Sequence, residues 1–138
     1  MPAKDFFHNT VKISLEKDGW IITDENLFIK IDKIEFYIDL AAERILIAEK
    51  AGQKIAVEVK SFLGVSVVSE FHTALGQFLN YRSALRKKQP ERILYLAVSL
   101  DVYDDFFRSD FIQEVIAEHL LKMIVFEPQK EEVVLWIN

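Results

Sequence analysis

Three residues of this 138-residue chain have types and positions suited to holding a divalent cation and working on a phosphate: Asp39, Glu58 and Lys60. The segment KIAVEVK (54–60) has the period of a strand, so Ile55, Val57 and Val59 share one face while Ala56, Glu58 and Lys60 share the other. Glu58 and Lys60 then stand roughly 7 Å apart along the strand. An ordinary half-exposed strand carrying a surface ion pair, worth about 0–1 kcal/mol, has the same pattern. Asp39 adds the distinguishing feature. It interrupts the apolar run FYIDL (36–40), and a carboxylate inside a sheet is unfavourable unless it is paired or binds a metal. If its strand lies beside that of Glu58, the two carboxylates converge on one cation. Hard ions such as Mg²⁺ or Mn²⁺ take oxygen ligands and keep several waters, so the Val59 carbonyl is a natural third donor. Such an ion polarises a phosphoryl oxygen and acidifies its bound water, and Lys60 is placed to orient that water or offset developing charge.

Gln77 and Tyr81 stand one turn apart on one shoulder of a long helix, with Glu70 and Ala74. A shoulder facing the sheet edge brings both to the carboxylates; otherwise they are boundary residues bonded at the core edge. Glu16 falls in the last turn of a first helix, where a carboxylate meets the negative end of the dipole, and is a further candidate metal ligand. The basic run Arg82, Arg86, Lys87 and Lys88 reads as a solvated helix end. His8, His72 and His119 lack metal-ligand spacing and read as surface or boundary residues. No nucleophile elbow, P-loop, EF-hand or dinucleotide fingerprint is present.

These residues need a scaffold, and composition allows one domain over 1–138: apolar residues make up 51%, with 11 Phe, and there is no repeat or flexible linker. The absence of cysteine excludes disulfides and thiolate chemistry. With no signal-like or membrane-length apolar run, a soluble cytoplasmic protein is expected. The net charge of −5 argues against a general polyanion binder, yet carboxylates gathered at a metal site add negative charge without touching phosphate.

The pattern predicts a helix over 3–18 ended by Gly19, with Phe7, Val11, Ile13 and Leu15 apolar. A strand over Trp20–Thr23 and a turn at Asp24-Glu25-Asn26 follow. From Phe28 to Lys60 strands succeed one another, with 45–50 and 54–60 flanking a hairpin turn at Ala51-Gly52-Gln53. A helix over Val67–Lys88 carries the stripe Val68, Phe71, Leu75, Phe78, Leu79 and Leu85, and Gln89-Pro90 stops it. A buried strand covers 92–100, Asp101 caps a helix from Val102, a second piece spans Asp110–Leu120, and strands 122–127 and 132–138 close the chain. This order predicts an α/β fold, a mixed sheet flanked by helices.

The run YIDLAAERILIAEKAGQKIAVEVKSFLG, followed by FHTALGQFLNYR and framed by DFFHNTVKISLEKDGW and VVLWI, resembles the XisH family of fdxN element excision controlling factors. The resemblance implies a restriction-endonuclease-like, PD-(D/E)XK fold. It gives Asp39 as the first motif acid, Glu58 and Lys60 as the E-x-K, Gln77 and Tyr81 as a Q-x-x-x-Y, and Glu16 as a first-helix acid. Ile38 stands where the motif's name calls for proline. The implied role is Mg²⁺-dependent cleavage of DNA in support of a site-specific recombinase during heterocyst development. The implied partners are DNA, the recombinase and a small XisI-like companion, and nucleases of this fold often pair as homo-oligomers. The alternative is a non-catalytic partner of recombinase and companion that uses the nuclease fold as a scaffold.

Overall fold

A computed structural model describes residues 4–46 and 51–138. It is a mixed α/β structure around one six-stranded sheet, with strands in chain order β1-β2-β3-β4-β5-β6. The strands are β1 (Ile21–Ile31), β2 (Ile34–Leu46), β3 (Ala51–Val59), β4 (Arg92–Ser99), β5 (Met123–Glu127) and β6 (Glu132–Ile137). β3, β4 and β5 run parallel, and the remaining neighbours pair antiparallel.

The two parallel steps need crossovers, and right-handed crossovers that advance the same way across a sheet fall on the same face. Accordingly α2 (Val67–Lys88), the short α3 (Leu100–Val102) with its π-helical continuation Tyr103–Phe107, and α4 (Asp110–His119) all cover one face. Phe71, Phe78, Leu85, Phe107, Ile112 and Ile116 bury there against Ala56, Leu96 and Val125. The other face is covered by α1 (His8–Lys17), whose Val11 and Leu15 pack on Leu40, Val57, Ala97 and Ile124. The strict alternation in β3 feeds both cores: Ala56 faces α2, while Ile55, Val57 and Val59 face α1.

α2 has the predicted bounds. The Ser66 hydroxyl accepts from the Ser69 N–H, and basic residues fill the last turn. Its stripe is shifted at the start: Val68 is exposed and Ala74 and Ala84 are buried, which lets α2 approach the sheet closely. α1 begins at His8 rather than residue 3, and Ile13 lies on its exposed side.

Other expectations are overturned. Asp24-Glu25-Asn26 is no turn; β1 runs through it, because a register slip between Ile22 and Asp24 and a left-handed Asn26 (φ 65°) absorb the polar triplet inside the strand. The turn lies at Asp32-Lys33, with Asp32 left-handed, where two residues close the β1–β2 hairpin. Gly52 and Gln53 are no turn either, since they pair with Ile45 and Arg44 in the β2–β3 ladder. The predicted strand end at 47–50 lies outside the described residues. Asp101 is not the cap; the Ser99 hydroxyl accepts from the Val102 N–H instead. No described helix is long and apolar enough to cross a membrane.

Gly19 ends α1 with φ 91°, and an added Cβ would meet only Arg44 Cδ at 4.0 Å. The expected penalty of Gly19→Ala is therefore backbone strain, about 1 kcal/mol, read as a fall of roughly 3–5 °C in melting temperature.

Candidate functional site

Asp39 and Glu58 meet where the β2–β3 ladder ends. The paired positions run from Leu46–Ala51 to Leu40–Val57 and stop there. Beyond that point side chains replace the ladder. Asp39 Oδ2 accepts from the Val59 N–H at 2.7 Å, and Glu58 Oε1 accepts from the Asp39 N–H at 3.3 Å. The pleat of β2 also slips here. Ile38 belongs to the core under α2 and Leu40 to the core under α1, whereas an unbroken strand keeps residues two apart on one face. The slip turns Asp39 toward Glu58 rather than into either core.

Glu58 is only 5% exposed, so its pair with Lys60 is not a surface ion pair. Lys60 Nζ stands 3.7 Å from Glu58 Oε2 with its side chain partly open to solvent. Burial pushes the Glu58 carboxyl up to about 9; the Asp39 charge and a side-chain hydrogen bond to Asp39 add to the rise, and Lys60 opposes it. Two acids thus share a partly open pocket with one ammonium, and Glu58 is held protonated near neutral pH unless a cation enters.

α2 supplies the roof. The Tyr81 hydroxyl is held up to about 12, by burial first and then by the charges of Glu58 and Asp39, so it stays a protonated donor beside them. Its ring packs edge-on to Phe36 of β2 at 5.9 Å. Gln77, one turn back, has a buried Oε1 with no hydrogen-bond partner. Of the shoulder expected to face the sheet, Tyr81 lies close enough to feel both acids, while Glu70 accepts from the Gly64 N–H instead.

Lys60 also borders a cleft of about 300 Å³ shared with Asp5, Ser61, Phe62, Ser69, Glu70 and Thr73. Its floor is fixed by backbone donors. The Lys60 N–H donates to the Ala97 carbonyl at 3.1 Å and the Ser61 N–H to Asp5 Oδ2 at 3.0 Å, while Asp5 Oδ1 accepts from the Phe7 N–H at 2.9 Å. Phe62 takes a left-handed φ of 55° and buries against Phe107, so the chain leaves β3 through a strained residue that packing holds in place.

Glu16 does not join this group. The N-terminal end of α1 meets the end of β3, through Asp5, and Glu16 lies roughly 12 Å farther along the axis than His8. It is exposed and lines a separate shallow cleft with Lys12, Ile22, Asp24 and Glu25. Asp5, which the sequence reading passed over, is the carboxylate the N-terminal segment brings; its one signal was its type, that of a residue which caps helix starts. His8 is likewise no surface histidine: it is buried, with Nε2 2.9 Å from Glu25 Oε1. Arg82 is not a solvated helix end, because it donates to the carbonyls of His119 and Leu120 and closes the end of α4.

Among the described residues no three of the types His, Cys, Asp and Glu gather as a metal cluster. The donor set is therefore two carboxylates, with the Val59 carbonyl as a third oxygen. That carbonyl lies on the same side of β3 as the Val59 N–H and so faces β2. Few protein oxygens, all hard, with two acids set against one lysine, fit a Mg²⁺-like ion that keeps several waters.

The family model described as XisH protein matches residues 1–134. An XisH family protein from Nostoc punctiforme PCC 73102 has a crystal structure that superposes with a TM-score of 0.89 at 54% identity, covering 97% of this chain and 100% of that one. A fdxN element excision controlling factor protein from Anabaena variabilis superposes with a TM-score of 0.87 at 53% identity, covering 96% and 98%. The comparison with curated proteins finds no match.

A folded-state value above the ordinary 4.5 means that Glu58 favours folding while protonated; this stability is full below about pH 4.5 and is lost as pH rises toward about 9. Glu58→Gln keeps the neutral form at every pH. In chelator it is expected to stabilise the protein by on the order of 1–3 kcal/mol near pH 8 and little near pH 4, in thermal melts. A variant less stable than wild type near pH 8 would contradict the assigned burial and charge.

Proposed function

The chain belongs to the XisH family, and we propose that it is an excision controlling factor that acts on DNA through a PD-(D/E)XK-like carboxylate site. The observation that carries this reading is the Asp39–Glu58 pair, hydrogen-bonded where two strands part, with Lys60 on Glu58 and Tyr81 above. The mixed sheet with an acid on β2 and E-x-K on the adjacent β3 supports a restriction-endonuclease-like fold. The likeness to the Anabaena variabilis protein supports the role in excision.

In this reading Asp39, Glu58 and the Val59 carbonyl hold Mg²⁺ or Mn²⁺. When bound, the ion polarises a phosphoryl oxygen and acidifies its water. Asp39 is oriented for this by the Val59 N–H, and Glu58 by Lys60 and the Asp39 N–H. Lys60, more open than Glu58, offsets charge that builds on the phosphate oxygens as the phosphodiester is cleaved. Tyr81 and Gln77 bound the site from α2 and limit water. DNA, a site-specific recombinase and an XisI-like companion are the partners this role calls for, with a homo-oligomer as the form that addresses two strands.

A second reading, a non-catalytic partner of recombinase and companion, is favoured by the net charge of −5 and by the absence of a three-ligand acidic cluster among the described residues. Calorimetric titration of Mn²⁺ and Mg²⁺, followed by incubation with branched and linear DNA, separates the two. Asp39→Asn is the better variant than Asp39→Ala, because its amide oxygen can still accept from the Val59 N–H. It is expected to weaken Mn²⁺ binding by about ten-fold or more with the fold intact. Lys60→Ala is expected to keep metal affinity and reduce cleavage by about a hundred-fold or more. Wild-type protein that binds neither ion and cuts neither DNA would favour the scaffold reading; full cleavage by Lys60→Ala would remove Lys60 from the chemistry.

A further inference from the structure

We propose that the groove between the C-terminal half of α2 and α4 docks an acidic, amphipathic segment of a partner protein. The groove encloses about 540 Å³ and lies on the flank of α2 turned toward β4 and α4, away from Tyr81. Its floor is apolar, formed by Phe78, Leu85, Leu94, Ile116 and Leu121. Its charged lining is of one sign: Arg82, Arg86, Arg92 and Lys122, with no Asp or Glu side chain among the lining residues. On a chain of net charge −5 this is a local reversal.

Two of these cations serve the fold. Arg82 holds the end of α4, and Arg92 donates to the Ile55 carbonyl and to Gln89 and pairs with Glu43 at 3.7 Å. The Arg86 and Lys122 side chains make no hydrogen bond or ion pair among the described residues. Arg86 instead faces a like charge, Arg82, one turn away, an arrangement that is unfavourable by itself and is relieved by an arriving carboxylate.

The apolar surface continues past the cavity, and this decides the size of the occupant. Leu120 is 69% exposed and Ile93 46% exposed at the rim. Leu120 is not loose, because its left-handed backbone is pinned by Arg82 on its own carbonyl and that of His119. A small anion would leave this rim bare. A nucleic-acid backbone would satisfy the cations and leave the floor bare. A helix with apolar residues at i, i+3, i+4 and i+7 covers floor and rim together, and its flanking carboxylates meet Arg86 and Lys122.

The test is amide NMR of the nitrogen-labelled protein titrated with a designed helical peptide carrying Leu on one face and Glu elsewhere, its Leu/Lys counterpart, and a short DNA duplex. The Leu/Glu peptide is expected to shift the amides of Arg86, Ala117, Leu120 and Lys122. Its affinity is expected to fall by about ten-fold or more in the Arg86→Glu/Lys122→Glu double variant. Leu120→Ser, at an exposed position, is expected to weaken it several-fold and serves as the second variant if the double one is unfolded. Equal binding of the Leu/Lys peptide, no shift from either peptide, or shifts at these amides from DNA alone would overturn the proposal, the last making the groove a nucleic-acid surface.

Discussion

The hydrogen bond from the Val59 N–H to Asp39 is the contact on which the site rests. A strand ladder normally uses each backbone group on its inner side, and a buried N–H left alone costs about 1–3 kcal/mol. Here the ladder stops at Leu40–Val57, and the next donor is answered by a carboxylate from the neighbouring strand. The return bond, from the Asp39 N–H to Glu58, ties the second acid into the same knot. Two like charges are thus brought together by backbone geometry, with one lysine to offset them, and the fold keeps the pair only by holding Glu58 protonated or by admitting a cation. The site's need for positive charge is a consequence of how β2 and β3 part.

The placement of the helices follows from the parallel strands. Both crossovers fall on one face, so α2 lies above the carboxyl end of β3, where ligand sites of open α/β sheets form. α1 covers the other face alone, and its N-terminal end reaches the end of β3 through Asp5 and Ser61. The residue after the lysine is therefore held by a segment more than fifty positions away in sequence, as the separation of 56 in that bond records. Lys60 is fixed from three directions: its own strand, β4 through Ala97, and the N-terminal segment.

Much of this was legible in the residues. Period two in β3 put Glu58 and Lys60 on one face, and a single acid in an apolar run marked Asp39; both signals are local and strong. The end of α2 was legible because Gln89-Pro90 closes it, and the start read from its stripe agrees with the Ser66 cap. What failed was what depends on tertiary geometry. A polar triplet reads as a turn unless a register slip and one left-handed residue carry it inside a strand, and Asp24–Asn26 is such a case. Helical periodicity gives the face a residue occupies and not which end of the helix meets the sheet, so Glu16 was preferred where Asp5 is present. Arg82 looked solvated because its partners, two carbonyls at the end of α4, lie almost forty residues on.

α2 separates the acid pair from the cationic groove on its face of the sheet. Tyr81 looks toward Phe36 of β2 and the carboxylates, while Phe78, Arg82, Leu85 and Arg86 line the cationic groove. Adjacent residues on one helix thus border regions of different character, and a single 22-residue element spans both. On the acid side a protonated Glu58 leaves Asp39 and Lys60 roughly balanced, so a polyanion finds no net attraction there until a cation is bound. The other side needs no such help, because its cations already outnumber any acid in the lining. On the proposed reading, affinity for phosphate is conditional on metal, whereas the groove beside α4 offers cations and apolar surface without one, and the two lie on opposite flanks of one helix.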